Sequence, residues 1–595
     1  MISDLIDPAL LRSVRTEIQE HLSFAPKETD IYKIHQSGDL ANLDGLDDES
    51  LKLLPSLKTL RDALYSPDFR SYLCHVTGSS FVSGKKTDMA INIYTPGSHL
   101  LCHDDVIGSR RISYILYLTD PDVPWQSEWG GALRLYPTEK LHDSAKNIAL
   151  VPNPEASKSI PPAFNQLSFF AVQPGASFHD VEEVYAPDDD HSKESPSSRV
   201  RMAISGWYHV PQKGEDGYSS GEESSYAEQS SLTQLQGMPH IHDRPRSLKT
   251  DYPASPDGGD ASPFTDPILT EADLNFLLQY LAPTYLTPDT LESVSESFCE
   301  NSSIVLENFL SKKLCDDIRL FIDLSEQKHD MQDWEVARPP HKHHYLFQRA
   351  SKTASNPLQM ILNDLIPAHA FQKWLQLATE QEATSHDMIL RRFRRGKDYT
   401  LAQSYDANEP RIELCLGLTP SSGWEKEEDD AAHGDSNGIE RQAESKDGFR
   451  DVGGYLAYMN GGNDDGTDDE KSDDGVLAPA DKNTNGGVAK MRKSRADPAI
   501  YQAQDDEEED GVLFSMPACW NRLGIVMRDK GTMRFVKYVS RSARGDRWDV
   551  FGEFEITDQA SINGDDSVLG GSDSNDANGE GGGHLPTDTD TASDT

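Results

Sequence analysis

The chain has 595 residues, with 56 Lys and Arg against 100 Asp and Glu, a formal charge of −44 at neutral pH. A chain of this length accommodates about two to four domains, each able to bury a core. The acid excess argues against general binding to DNA or RNA and against docking on an anionic membrane, since both call for a basic surface.

The acid is concentrated in two places. Residues 425–510 hold 25 acids and 10 bases, and residues 557–595 hold 9 acids and no base. Runs such as 425–430, 464–474 and 505–510 carry too little apolar surface to order themselves, so 425–450 and 460–510 are expected to be disordered insertions and 559–595 a disordered acidic tail. Six scattered cysteines without a C-x-x-C pair indicate neither a disulfide framework nor a zinc site and fit a reducing compartment. The first residues lack the basic and apolar regions of a signal peptide, and no apolar run reaches membrane-spanning length; a soluble, intracellular protein is expected.

In chain order, residues 8–22 and 56–76 place Leu10, Leu11, Val14 and Ile18, then Leu57, Leu60 and Leu64, at helical spacing. From residue 88 the period changes. Residues 89–94, 112–118, 132–136, 166–172 and 202–209 are short β-rich runs separated by turns at Pro96-Gly97, Gly130-Gly131 and Pro174-Gly175. Helices followed by many short strands predict an α+β domain built on an antiparallel sandwich or jelly roll over 1–211. Residues 212–262 are rich in Ser, Gly and Pro and predict a linker, 265–300 is modestly helical (272–281 and 289–298), and a second domain is expected over 301–558.

The second domain reads as a copy of the first. Both are expected to open on a similar helix, at Ser3–Asp7 and at Leu306–Leu310. Ile93-Tyr-Thr-Pro-Gly97 parallels Arg392-Phe-Arg-Arg-Gly396, and Arg111 to Thr119 parallels Arg411 to Thr419 without a gap. Gly130-Gly131 recurs as Gly453-Gly454, Asn165 to Gly175 matches Asn521 to Gly531, and Arg201 to Gly206 matches Arg547 to Gly552. One such match is chance; six in order make a tandem pair.

The segment richest in chemistry is His99-Leu-Leu-Cys-His103-Asp-Asp105, followed downstream by Phe178-His179-Asp-Val-Glu-Glu-Val184. Two imidazoles and one carboxylate can hold Fe(II) on one face and leave open positions for a chelating cosubstrate and O2. Residues i and i+2 of a strand share a face, so His103 and Asp105 are expected to converge. An H-x-D alone is weak: about one or two copies arise by chance in so acidic a chain. The second copy, His433-Gly-Asp435, falls in an acidic insertion and reads as noise. His179 follows a β-rich run and a Pro-Gly turn, where a third ligand from a neighbouring strand would come. Arg201 opens the next strand, and its fork suits the far carboxylate of 2-oxoglutarate. Arg199 is the alternative, with Arg201 favoured because Arg547 opens the matching strand; the residues between His179 and Arg201 read as a hairpin insertion.

On these segments, with Ile115-Leu-Tyr-Leu-Thr119 and Arg201 to His209, the chain resembles the ribosomal prolyl 3-hydroxylase family of Fe(II)/2-oxoglutarate oxygenases. The resemblance covers roughly residues 3–211 and 265–556. It implies two tandem double-stranded β-helix (jelly-roll) domains with flanking helices, iron ligation by His103, Asp105 and His179, cosubstrate binding by Arg201, and hydrogen bonds to the cosubstrate from Tyr94 and Tyr117. It implies Fe(II), 2-oxoglutarate and O2, with ascorbate as reductant, and a prolyl residue of a small-subunit ribosomal protein as substrate, with a link to translation and oxygen sensing. Trp207 is expected to be a core residue rather than a pocket wall.

Aligned on Gly97 and Gly396, the second copy holds Ala402 and Ser404 where the first has His103 and Asp105, and Arg534 or Phe535 where it has His179. It is expected to be non-catalytic and to serve stability or docking of a regulatory protein. His341, His343 and His344 read as a solvated loop without carboxylates nearby, and the basic run 489–495 as a candidate nuclear signal, so nucleus and cytoplasm are the expected locations. Two other readings stay open at this point: the same chemistry on another protein or small molecule, and a mainly non-enzymatic interaction protein.

Overall fold

The computed structural model describes residues 1–142, 148–187, 199–221, 241–252, 268–328, 333–351, 356–424, 452–461 and 511–557. The acidic runs, the His433–Asp435 pair, the basic run 489–495, the tail and most of the hairpin before Arg199 lie outside them.

Eight strands form the frame of the first half: β1 (Thr87–Tyr94), β2 (His99–His103), β3 (Arg110–Tyr117), β4 (Leu133–Leu135), β5 (Lys158–Ile160), β6 (Gln166–Ala171), β7 (His179–Val181) and β8 (Arg201–His209). They pair antiparallel in the orders β6-β3-β8-β1 and β2-β7-β4-β5, which is the jelly-roll arrangement of two facing layers. The strand Tyr32–Gln36 pairs with both β1 and β2 and joins the layers into one folded sheet.

Side chains alternate across this sheet. Ile112, Tyr114 and Leu116 of β3 and Met202, Ile204 and Tyr208 of β8 pack with Leu11, Val14, Ile18, Leu57, Leu60 and Leu64 from the helices Pro8–His21 and Pro55–Leu64. Asp7 caps the first of these helices and Pro8 opens it, with the buried Leu11, Val14 and Ile18 forming one stripe. The alternate residues Ser113, Ile115 and Tyr117 of β3 and Arg201 and Ala203 of β8 face the other layer, where Ile115, Tyr117 and Ala203 meet Leu133. The helices thus brace the outside of the sheet while its inner face is left for polar groups.

The second half repeats the strand order. Its strands are β9 (Ala383–Phe393), β10 (Tyr399–Ser404), β11 (Arg411–Leu418), β12 (Leu456–Asn460), β13 (Val512–Met516), β14 (Trp520–Arg528), β15 (Thr532–Val536) and β16 (Arg547–Ile556). They pair as β14-β11-β16-β9 and β10-β15-β12-β13. Local details recur too. Asn165 and Asn521 both take a positive φ, and their side chains accept from the Ile6 and Leu310 amides and return a bond to the same residues' carbonyls.

Three sequence expectations change. The segments around Ser3 and Leu306 are not helical: Ile2–Ser3 and Ser303–Glu307 are strands pairing with β6 and β14, and the helices follow at Pro8–His21 and Lys312–Lys328. The helical segments expected within 265–300 are present as Glu271–Leu277 and Pro288–Asn301, but this stretch packs into the second half instead of only linking to it. Thr250–Asp251 adds a strand to β9, and Leu277, Leu281, Leu291, Val294 and Phe298 belong to the second half's core, because their apolar stripe finds a sheet to cover. His341, His343 and His344 are buried rather than solvated. His343 bonds the Arg244 and Arg338 carbonyls, and His344 Nδ1 lies 2.6 Å from the fully buried Asp398 carboxylate.

The two halves meet through the β2–β7 layer. Glu183, just past β7, accepts from the Ser540 and Tyr538 hydroxyls and the Arg541 amide; burial pushes its carboxyl above the usual range. Asp30 accepts from the Ala402 amide, His99 lies against Tyr538, and Phe178 stacks on His341 at 4.7 Å. Residues Met1–Ile556 form a single compact unit. All six cysteines are unpaired, and among the described residues no helix is long and apolar enough to cross a membrane.

Candidate active site

The site is assembled from β2, β7 and the loop after β2. His103 and His179 sit opposite each other in the β2–β7 register, with ring centroids 4.3 Å apart. Asp105 is not a strand residue: β2 ends at His103, and Asp105 adopts φ +61°. The H-x-D spacing therefore works through a left-handed turn that swings the carboxylate back, not through strand alternation; Asp tolerates this backbone better than most residues. Asp105 Oδ1 lies 3.2 Å from His103 Nε2 and Oδ2 lies 3.5 Å from His179 Nε2.

Among the described residues, these three are the only His/Cys/Asp/Glu group whose donor atoms converge, all within 4.8 Å of one another. Each imidazole presents the nitrogen a metal needs. His103 Nδ1 donates to the Leu101 carbonyl at 2.7 Å and His179 Nδ1 to the Ser177 carbonyl at 2.9 Å, which leaves Nε2 as the free lone pair. Ser177 also donates to the Asp104 carbonyl, tying the two ligand-bearing segments together. Burial alone would raise the Asp105 carboxyl, but the neighbouring His179 and His103 override it and hold it well below the usual range. Burial and the repulsion of His103 push His179 down to about 4. A charged carboxylate beside a neutral His179 suits a divalent cation, whereas Asp105 raises His103, whose Nε2 proton a bound cation would displace.

Two partners of Asp105 were not legible in the sequence. Ser113 donates to Oδ2 at 2.8 Å and the Trp207 indole N–H to the same oxygen at 3.3 Å. They are register partners in the β3–β8 ladder, a pairing visible only once the strands are aligned. Trp207 is half-buried beside the site and is not the core residue expected.

Arg201, 1% exposed, lies deeper. Its Nε donates to the Gly131 carbonyl at 2.8 Å, and its guanidinium lies 4.5 Å from the Tyr94 ring centroid and 5.1 Å from that of Tyr117. Both tyrosines are buried, and burial pushes the Tyr94 hydroxyl up to about 12. Arg201 Nη2, the Tyr117 hydroxyl and the Ser168 hydroxyl are buried and form no well-aligned hydrogen bond among the described residues. The Tyr117 hydroxyl reaches toward both Ser168 and Arg201 without good alignment, and the buried guanidinium has no carboxylate partner among the described residues, so an anionic carboxylate suits the site. Arg199 instead donates to the Tyr185 carbonyl and lies over Trp129, outside this pocket.

A jelly roll holding a convergent two-histidine, one-carboxylate set and a buried arginine has the donor set of a mononuclear metal site that works with a carboxylate chelator. Residues 89–209 match the 2OG-Fe(II) oxygenase superfamily, and residues 272–561 match the model described as oxoglutarate and iron-dependent oxygenase degradation C-term. The chain is 31% identical over 569 residues to prolyl 3,4-dihydroxylase OGFOD1 of Ostreococcus tauri, covering 92% of each chain. It is 29% identical over 345 residues to prolyl 3-hydroxylase OGFOD1 of Mus musculus, covering 58% of this chain and 47% of that one. A prolyl-4-hydroxylase structure from Pseudomonas putida is 18% identical, with a TM-score of 0.22 over 35% of this chain and 90% of that one. The chain belongs to the OGFOD1 family of 2-oxoglutarate- and Fe(II)-dependent oxygenases. The family works with Fe(II), 2-oxoglutarate and O2.

Proposed function

We propose that the protein is a prolyl hydroxylase whose substrate is a prolyl residue of a small-subunit ribosomal protein, with the first half as the catalytic domain. The observation that carries this reading is the triad in the same sandwich as Arg201: three convergent donors and a buried guanidinium with no carboxylate partner among the described residues. His103, Asp105 and His179 hold Fe(II) through Nε2, a carboxylate oxygen and Nε2. Arg201 pairs with the far carboxylate of 2-oxoglutarate, Tyr117 donates to it, and Tyr94 supports the guanidinium through its ring. Bound iron and 2-oxoglutarate together activate O2 for insertion of one oxygen into a C–H bond.

The chain's own contribution is orientation and exclusion of water. Ser113 and Trp207 fix the Asp105 carboxylate, the backbone carbonyls of Leu101 and Ser177 fix the two imidazole tautomers, and the helix-backed sheet keeps the Arg201 end dry. The acidic excess suits a basic protein substrate. The second half is proposed as a non-catalytic jelly roll that supports β2 and β7 and offers a surface to a regulatory protein. Ascorbate as reductant and residence in nucleus and cytoplasm complete the reading.

The test is incubation of the purified chain with Fe(II), 2-oxoglutarate, O2 and peptides of small-subunit ribosomal proteins, read by mass spectrometry. A prolyl residue heavier by one oxygen atom, absent with His103→Ala, is the expected result. Succinate formation without peptide oxidation rejects the substrate; no 2-oxoglutarate turnover rejects the enzyme.

A further inference from the structure

We propose that Arg244, Arg246 and Arg338, on the surface of the second half, bind a phosphoryl group carried by a serine or threonine of a partner protein. The inference gives a chemistry to the docking role proposed for the second half; it rests on that role and not on the metal site. In a chain with a formal charge of −44, arginines without an ion pair are the exception. Neighbouring arginines are matched by carboxylates: Arg349 by Asp387, Arg392 by Asp546 and Arg394 by Asp398. Among the described residues, Arg244, Arg246 and Arg338 hold no such pair, and the side-chain bonds of Arg244 and Arg246 go to backbone carbonyls. Asp243, next to them in the chain, is buried and bonds the buried Lys342 at 2.8 Å. Glu335 acts on Arg244 through space without forming an ion pair with it.

The cluster is convergent. Arg244 Nη1, at 3.4 Å, and Arg246 Nη2 both donate to the Ile241 carbonyl, so two cations share one neutral acceptor that offsets neither charge. Arg338 is joined to Arg244 by reciprocal backbone bonds of 2.8 and 2.9 Å. Burial and the charges of Arg246 and Arg338 lower the Arg244 guanidinium from its ordinary value, as expected of cations crowded together without a counter-charge. The backbone beneath them is fixed. The buried His343 Nε2 lies 2.9 Å from the Arg244 carbonyl and 3.0 Å from that of Arg338, and Thr250–Asp251 is a strand on β9. Arg246 is exposed and the other two are half-buried, so an anion can reach all three from solvent. A phosphoryl group brings nearly two charges and three acceptor oxygens to one point, which suits several guanidinium forks better than a single carboxylate does. A nucleic acid or a long acidic segment would be repelled by the rest of so acidic a protein; one phosphoryl group on an otherwise neutral or basic segment would not.

The test is isothermal titration calorimetry of the purified full chain with a blocked glycine heptapeptide bearing one phosphoserine, the same peptide bearing serine, inorganic phosphate, and a short single-stranded oligouridylate. The phosphopeptide should bind at one site, at least about tenfold more tightly than the serine peptide, the worth of one charge-assisted hydrogen bond or more. Arg246→Gln or Arg338→Gln should each weaken it by about 3- to 10-fold, and the two together should remove measurable binding. The unfolding midpoint of these variants should stay unchanged, since neither guanidinium holds an ion pair within the described residues. Equal binding of the two peptides, or phosphopeptide binding that survives both substitutions, overturns the inference and leaves a docking role for the second half standing. Inorganic phosphate bound while the phosphopeptide is excluded assigns the cluster to the free ion, and tight oligouridylate binding lost in the same variants assigns it to nucleic acid; either overturns the partner named here. No binding of any probe overturns the inference and removes the docking role from this surface.

Discussion

The two halves share strand order and much of their register but fill their interiors with opposite chemistry. In the first, His103 pairs across the sheet with His179; in the second, the matching register pair is Gln403 and Arg534. This moves the His103 counterpart one residue along from Ala402, because the β10–β15 ladder is irregular between Thr400 and Gln403. Ser113, which bonds Asp105, is replaced by Glu413, a fully buried carboxylate bonded by Arg411, Arg528, Arg534 and Tyr458. Deeper in, Ala203 becomes Asp549, which pairs with Arg547 at 2.9 Å and Arg391 at 2.7 Å. Arg547 is thus already bonded to a carboxylate of its own chain, whereas its counterpart Arg201 has no carboxylate partner among the described residues. A sandwich interior lined with polar groups can be completed by a ligand or by internal ion pairs; the second half uses ion pairs, and the proposed function assigns the ligand to the first.

The largest expected effects test the claim that only the first interior takes a ligand. Titration of the protein with Co(II) or anaerobic Fe(II) should give one tight site per chain. His103→Ala or His179→Ala should weaken it by more than about 100-fold, since even the loss of an outer supporting partner costs up to that much. A second tight site surviving either substitution would break the comparison. In the second half, Asp549→Ala leaves Arg391 and Arg547 buried without their shared partner. It should lower the unfolding free energy by about 3–5 kcal/mol, measured by denaturant titration. Added acetate or 2-oxoglutarate should restore part of that loss in the variant alone; no loss at all would mean that Asp549 does not take the anion's place.

Arg201→Met should raise the KM for 2-oxoglutarate by about 10- to 100-fold, the range for removing a charge-assisted hydrogen bond. Arg547→Met should leave that KM unchanged while lowering the unfolding midpoint. A shift in KM from Arg547→Met would mean that the second half contacts the cosubstrate.

The sequence disclosed those parts of this contrast that are local. Strand periodicity marked most of the first half's long strands, and the repeat of Gly130-Gly131 as Gly453-Gly454 was readable because positive φ at these positions calls for glycine. His103 and Asp105 were readable as a motif, but the left-handed turn that joins them was not, since spacing alone cannot separate a strand from a turn. Ser113, Trp207, Glu413 and Asp549 act through cross-strand register, which no single stretch of sequence encodes. The burial of His341, His343 and His344 escaped for a related reason: Phe178, Asp398 and the segment around Arg244 that cover them lie far away along the chain.

The smallest effect separates the two pockets most sharply. Where Tyr117 stands, the second half has Gly417, and a side-chain carbon there would lie 2.5 Å from Cys519 Sγ, so the space is already filled. Tyr117 carries a buried hydroxyl that reaches Ser168 and Arg201 only in poor alignment, and under the proposed function it donates to the cosubstrate. Tyr117→Phe should therefore act unequally on two measurements. The stability of the free protein should change by no more than about 1 kcal/mol, because only poorly aligned contacts are removed. The affinity for 2-oxoglutarate should fall about 2- to 10-fold, the worth of one neutral hydrogen bond. A variant that loses stability without losing affinity would assign the hydroxyl to the fold, and the pocket would then be defined by Arg201 alone.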